Sequence, residues 1–242
     1  MIRKLFKAIA ILIRPPLWPL LLRGTAAGVE HIRALRQVEM GTCLDVGANT
    51  GQFSVLVWHM FPEADIVAFE PLPEAADRFA QIMSGKGAIL HRTALGASSG
   101  ERTLHVTDRA DSSSLLSPGE GQARAFGVRE VRTQKVPVAP LGDLVSIAQC
   151  NRPVFMKIDV QGGELDVLKG CGDALLAIDW IYVELSFVTL YSGQPLAADI
   201  VCFLAERGFA LRGVFNNVET KAHGATQADF LFSKSLRAKN AP

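Results

Sequence analysis

Apolar positions along the chain come in short runs, each followed by a stretch in which apolar residues recur at helical spacing. Cys43 to Val46 precedes Phe53 to Met60, Ile66 to Phe69 precedes Glu74 to Met83, Val154 to Ile158 precedes Glu164 to Leu168, and Ile181 to Leu185 precedes Leu196 to Arg207. Strand-like runs alternating with helices predict βαβ units around a mainly parallel sheet with helices on both faces. Upstream, Val29, Ile32, Leu35 and Val38 form an apolar stripe that predicts a helix over 25–38, with Thr25 as its N-cap. Gly208 stops the last helix, and the runs Phe209 to Phe215 and Asp229 to Phe232 have no helical stretch between them, which predicts a closing antiparallel pair. Asp108 to Gly127 breaks the pattern: it is polar and rich in Ser, Gly and Ala. A connection of that length in a compact domain is a lid, a binding loop or disorder.

A chain of 242 residues, 49% apolar and 20% charged, can bury a sizeable core and favours one α/β domain over 24–242. Its 25 Lys and Arg against 24 Asp and Glu leave a net charge of +1, which excludes nucleic acid as a partner held by overall charge. Cys43, Cys150, Cys171 and Cys202 form no C-x-x-C pair, and the five histidines form no H-E-x-x-H or close pair, so these residue types predict no metal centre. The cysteines read as small buried side chains in a reducing cytosol.

Residues 1–23 are a basic, apolar arm, with Arg3, Lys4, Lys7, Arg14 and Arg23 and no acid before Glu30. Its longest apolar run, Ala8 to Ile13, falls far short of the roughly 20 residues that span a bilayer. No clear signal-peptide cleavage site follows it. Two readings stand: a cytoplasmic protein touching an anionic membrane face through this arm, or an arm that packs on the domain or on a second subunit.

Candidate chemistry begins at Asp45-Val-Gly47-Ala-Asn49-Thr-Gly51, between a buried strand and a helix. Gly47 allows the sharp turn, Gly51 allows close helix packing, and the free N–H groups of the first turn suit an anionic group. A dinucleotide fingerprint wants glycine where Asn49 stands, and Asp45 would repel a pyrophosphate but pair with an ammonium. A zwitterionic ligand such as the amino-acid end of S-adenosylmethionine fits better. Glu70, followed by Pro71 at the end of the second strand, is placed to accept two ribose hydroxyls.

These residues belong to a longer series. Cys43 through Phe53, Ala68-Phe-Glu70-Pro71, Ala94-Leu95-Gly96, Ser112-Ser-Ser114-Leu115 and Lys157-Ile-Asp159-Val-Gln161-Gly162-Gly-Glu164-Leu-Asp-Val-Leu168-Lys-Gly170 resemble, in order and over about residues 25 to 233, the FkbM family of S-adenosylmethionine-dependent methyltransferases. The resemblance implies a class I methyltransferase (Rossmann-like) fold and O-methylation of a hydroxyl on a small-molecule or glycan acceptor, such as a sugar or a natural product. It also adds Gln52, Phe53, Ala94 and Leu95 to Asp45, Gly47, Asn49, Gly51, Glu70 and Pro71 as cofactor-binding residues, and makes the Ser112 to Ser114 run a segment that closes over ligand.

Methyl transfer from a sulfonium needs an acceptor oxygen held in line and relieved of its proton. Asp159, at the end of the strand Val154 to Ile158, is the first candidate for base or acceptor anchor, against the alternative of a helix cap; Glu184 is the second. Asp159, Glu164 and Glu184 together are also a possible hard-cation set, which spacing does not decide. Lys157, inside an apolar strand, calls for a structural ion pair. Asn216 and Asn217 read as turn residues, with acceptor contacts as the lesser alternative. A nicotinamide oxidoreductase would share the fold, and a catalytically silent S-adenosylmethionine-binding protein would lack the acids Asp159 and Glu184.

Overall fold

A computed structural model of the protein describes Trp18 and residues 27–234. Thr25 and the rest of the arm lie outside the described residues. The main sheet has seven strands, β1 (Thr42–Val46), β2 (Asp65–Phe69), β3 (Ile89–His91), β7 (Val154–Ile158), β8 (Trp180–Ser186), β9 (Phe209–Thr220) and β10 (Gly224–Lys234), in the order β3-β2-β1-β7-β8-β10-β9. β1, β2, β3, β7 and β8 run parallel, and β10 is inserted antiparallel between β8 and β9. The expected parallel sheet and closing antiparallel pair are both present.

β1 and β7 are buried at every position, as central parallel strands covered on both faces must be. Alternation sends Leu44, Val46, Met156 and Ile158 to one core and Cys43 and Phe155 to the other. The helices α1 (Ile32–Leu35), α2 (Gln52–Met60), α3 (Pro73–Ile82), α4 (Glu120–Phe126), α5 (Leu141–Leu144), α6 (Glu164–Gly170) and α7 (Ala197–Glu206) complete the layers. Successive strands leave β1 on opposite sides, β2 on one and β7 on the other, so a crevice opens at their carboxyl ends.

Four expectations need correction. The helix over 25–38 is only a 3₁₀ turn, Val29–His31, followed by the four residues of α1. Residues 94–139 hold a second sheet of β4 (Ala94–Leu95), β5 (Gly100–Thr107) and β6 (Glu130–Ala139), in the order β4-β6-β5. Much of β6 is exposed and charged, with only Val136 and Val138 buried, so its polar face hid the strand. The polar stretch between β5 and β6 carries a 3₁₀ turn, Ala110–Ser112, and α4. Asn216 and Asn217 lie within β9, whose turn comes at 221–223; Asn216 has a φ of +51° beside the irregular register of β9 and β10.

Candidate active site

The crevice is a cavity of about 960 Å³ running along the carboxyl ends of β2, β1, β7 and β8. At its first half, β1 ends in Gly47, whose φ is +75° and whose Cβ, if it had one, would stand 1.9 Å from the Asp159 carbonyl oxygen. Only glycine fits there. Asn49, also left-handed at +48°, aims its N–H at Glu70 Oε2 (2.8 Å), while the Leu72 N–H donates to Oε1 (2.8 Å). Burial raises the Glu70 carboxyl to about 7, against the two N–H groups that favour its charge. Each oxygen keeps a lone pair for a further donor.

Gly47, Asn49, Gln52, Phe53, Glu70, Pro71, Ala94 and Leu95 all line the cavity. Asp45 and Gly51 do not. The expectation that Asp45 meets a ligand ammonium is corrected by its surroundings: it has no exposed surface, accepts a hydrogen bond from Ser54 Oγ at 2.6 Å, and lies 3.4 Å from Lys157 Nζ. Lys157 is thus the structural partner expected of it. Its ammonium also donates to the Gly47 carbonyl (3.0 Å) and lies 3.7 Å from Asp159. Burial disfavours that charge, but the Asp45 and Asp159 carboxylates outweigh it and raise the Lys157 pKa. Gly51 (φ +87°) brings α2 against Phe79 of α3, where a Cβ would meet the ring at 3.0 Å.

In the second half, Asp159 and Glu184 face the cavity and share one donor, Gln161 Nε2, at 2.7 and 3.1 Å. Burial, then the neighbouring Asp159 and Asp229 carboxylates, raises Glu184 well above an ordinary carboxyl. Gln161 has a φ of +59°, and its Oε1 accepts from Tyr191 Oη (2.9 Å), which also receives Gln122 Nε2 (2.8 Å). Ser114 Oγ donates to the Gln161 carbonyl (2.7 Å), so the segment expected to close over ligand, Ser112 to Ser114, does lie on the cavity wall. Glu164 departs from the candidate hard-cation set: it is buried off the cavity, where it accepts the Gly162 N–H (2.9 Å). Burial raises it to about 7. Among the described residues no group of three or more His, Cys, Asp or Glu has a metal-holding arrangement.

Beyond Glu184 lies a cluster of which the sequence offered only Asn216, as the lesser alternative to a turn residue. His31, Tyr182, Asn216 and Asp229 all reach the cavity. Asp229 Oδ2 accepts from Tyr182 Oη (2.8 Å) and Asn216 Nδ2 (2.7 Å), with His31 Nδ1 at 3.3 Å. Burial opposes ionisation of Asp229, yet the bonds from His31, Asn216 and Tyr182 hold it below the usual carboxyl value. Burial, then Asp229, raises the Tyr182 phenol far above its ordinary value, so it remains a donor. No spacing signal joins residues this far apart in sequence. Gln161 and Tyr191 were missed as well, although Gln161 stands inside the quoted Lys157 to Gly170 run.

Residues 45–211 match the family model described as the methyltransferase FkbM domain, about two thirds of the chain. The chain belongs to the FkbM methyltransferase family. The nicotinamide alternative falls with that membership. S-adenosylmethionine is the cofactor, and the first half of the cavity, lined by Gly47, Asn49 and the buried Glu70 carboxylate, has donor and acceptor groups that fit it. The chain is similar to the 2-O-methyltransferase NoeI of Sinorhizobium fredii, with 30% identity over 64% of this chain and 68% of that protein. It is also similar to the hexuronic acid methyltransferase AglP of Haloferax volcanii, with 29% identity over 58% of this chain and 54% of that one, so it spans about half of AglP's length. Among solved structures, an FkbM methyltransferase from Methylobacillus flagellatus superposes with a TM-score of 0.52 at 14% identity, covering 79% of this chain and 43% of that one, a likeness of fold.

Proposed function

We propose that the protein transfers the methyl group of S-adenosylmethionine to a hydroxyl oxygen of a sugar or a sugar-bearing natural product. The observation that carries this reading is the second half of the cavity, where Asp159 and Glu184 converge on Gln161 in space the donor's half does not use. A cavity of about 960 Å³ lies at the upper end of the range for ligand sites and has room for donor and acceptor together. The similarity to a 2-O-methyltransferase and to a hexuronic acid methyltransferase supports a glycan acceptor.

Asp159 anchors the acceptor by taking a hydrogen bond from its hydroxyl, held for that purpose by Gln161 and by the nearby Lys157 ammonium. Glu184, whose charge is disfavoured by burial and by the neighbouring Asp159 carboxylate, meets a second acceptor oxygen. Ser112 to Ser114 wall the acceptor in and limit water, backed by the buried Tyr191, whose hydroxyl faces the Ser112 carbonyl. The basic arm at 1–23 brings the enzyme to an anionic membrane face. Among the described residues no helix is long and apolar enough to cross a membrane.

The test is a screen of glycosides, including hexuronides and deoxysugars, for uptake of labelled methyl. Transfer to a sugar oxygen supports the reading. Transfer only to nitrogen, carbon or sulfur acceptors in a parallel panel overturns it.

A further inference from the structure

We propose that His31 is the base that receives the acceptor hydroxyl's proton, oriented by Asp229, Tyr182 and Asn216. The proposal rests on the hydroxyl-acceptor reading above and adds to it the destination of the proton.

The hydrogen bonds determine which ring nitrogen is free. Asp229, as a carboxylate, can only accept, and it receives Tyr182 Oη–H and an Asn216 N–H. Tyr182 has spent its one proton on Asp229, so toward His31 Nδ1, 3.0 Å away, its oxygen acts as acceptor. Three groups face His31 Nδ1: the acceptors Tyr182 Oη (3.0 Å) and Asp229 Oδ2 (3.3 Å), and the Asn216 amide nitrogen (3.3 Å), whose shorter bond goes to Asp229 (2.7 Å); with that amide engaged by Asp229, the two acceptors assign the hydrogen to Nδ1. Nε2 is left with a lone pair on a ring that lines the cavity, and it makes no hydrogen bond among the described residues. The ring cannot easily turn away. It stands edge-on to Phe53 (centroids 5.3 Å, 73°) and to Tyr182 (5.6 Å, 87°), and Gly28 lies against its Nε2 edge, where a Cβ would sit 3.0 Å from Cδ2 and 3.6 Å from Nε2.

The cluster is on the acceptor's side of the cavity. From β2, which presents Glu70, to β10, which carries Asp229, the sheet order counts four strand spacings, about 19 Å at roughly 4.8 Å each. The few bonds between the ribose hydroxyls and the methyl carbon of the donor do not cover that distance. Its bonds to Tyr182 and Asp229 tie His31 to that end of the cavity, next to Glu184, whose register partner is Asp229, while its ring also packs on Phe53 at the start of α2.

In the step, a lone pair of the acceptor oxygen forms the bond to the methyl carbon as the carbon–sulfur bond breaks toward sulfur. The O–H proton passes to His31 Nε2. The resulting imidazolium keeps Nδ1–H on Asp229 and Tyr182, whose charge and dipole stabilise it, and it returns the proton to water once product leaves.

The experiment uses the full chain and reads the ring before it reads turnover. Nitrogen-15 NMR of the histidine side chains at pH 7.5, with and without S-adenosylmethionine, should show His31 as the Nδ1–H tautomer, and Asp229→Asn should shift the ring toward Nε2–H. His31→Asn retains an N–H where Nδ1 stands but has no Nε2; it should bind S-adenosylmethionine within about threefold of wild type by calorimetry, while transfer to the glycoside found in the acceptor screen falls by about 10² to 10⁴. Should His31→Asn fail to fold, Gly28→Ala, at an ordinary φ of −72°, displaces the Nε2 edge and should lower transfer with donor affinity kept. An Nε2–H or doubly protonated ring in the wild type overturns the proposal, as does near-native transfer by His31→Asn or a donor affinity reduced more than tenfold. If no glycoside is methylated, the hydroxyl reading fails by itself, and the NMR result still decides whether His31 offers a free Nε2.

Discussion

Glu70→Gln keeps the shape of a side chain that braces its own loop and is proposed to hold the donor's ribose, while removing its charge and exchanging one acceptor oxygen for a donor. In the structure each carboxylate oxygen already accepts one backbone N–H, from Asn49 and from Leu72, both at 2.8 Å. Glutamine offers one carbonyl oxygen; its amide group would face the other N–H as donor against donor. In the proposed contact the ribose hydroxyls use the remaining lone pairs, so one of two bonds would be lost and the other become neutral. At roughly 1.5 to 3 kcal/mol for a hydrogen bond to a charged group, and allowing for water in the gap, S-adenosylmethionine should bind about 2 to 4 kcal/mol more weakly. That is a Kd higher by roughly 30-fold to 1,000-fold. Calorimetry at pH 8 is the cleanest assay, because burial places the Glu70 carboxyl at about 7 and the wild type is mostly ionised there. Donor binding favours the ionised form, so wild-type affinity should fall as pH drops below 7, whereas the variant should show no such dependence. An affinity within threefold of wild type in folded Glu70→Gln, together with a flat wild-type profile from pH 8 to 6, would refute the ribose contact.

Glu70 and Glu164 each rise from 4.5 to about 7 on folding, so the folded state holds their protons more tightly; their contribution is intact below pH 4.5 and is lost as pH rises through 7, by about 3 kcal/mol each. The melting temperature of the ligand-free chain should therefore fall between pH 5 and 7.5, and a rise over that window would contradict their burial. Lys157→Met strands the fully enclosed Asp45 without its cation and should cost about 3 to 5 kcal/mol by urea unfolding, with Asp45→Asn in the same chain restoring part of it. A loss below about 1 kcal/mol would show that the pair is not needed. Deleting residues 1–23 should abolish co-sedimentation with anionic vesicles and leave donor affinity unchanged; binding that survives the deletion assigns membrane contact elsewhere.

The main sheet apart from its short edge strand β3 was legible because its strands contain apolar runs set off by helical stretches or turns, and β7 matches the expected Val154 to Ile158 run residue for residue. The positions of Gly47 and Glu70 were legible for a related reason: both follow strand ends, where chain order alone fixes their place. Asp45 misled, since a carboxylate at the same strand end reads alike whether it faces a ligand or Lys157 on the neighbouring strand, and only the register of β1 with β7 pairs the two. β6 escaped because its exposed face is charged and its buried face offers only Val136 and Val138. The His31, Tyr182, Asn216 and Asp229 cluster had no local signature at all. Its members come from a 3₁₀ turn and three different strands, and the antiparallel insertion of β10 beside β8 is what brings them together.

The central claim is tested most directly by the bond the enzyme makes. Purified full-length protein, labelled S-adenosylmethionine and a panel of glycosides that includes hexuronides should yield a methylated sugar whose label survives alkali, with the methyl placed on a ring hydroxyl by NMR. Label released by alkali would mean a carboxylate ester, and label on nitrogen, carbon or sulfur would mean another chemistry; either would contradict transfer to a hydroxyl at the Asp159 and Glu184 end of the cavity.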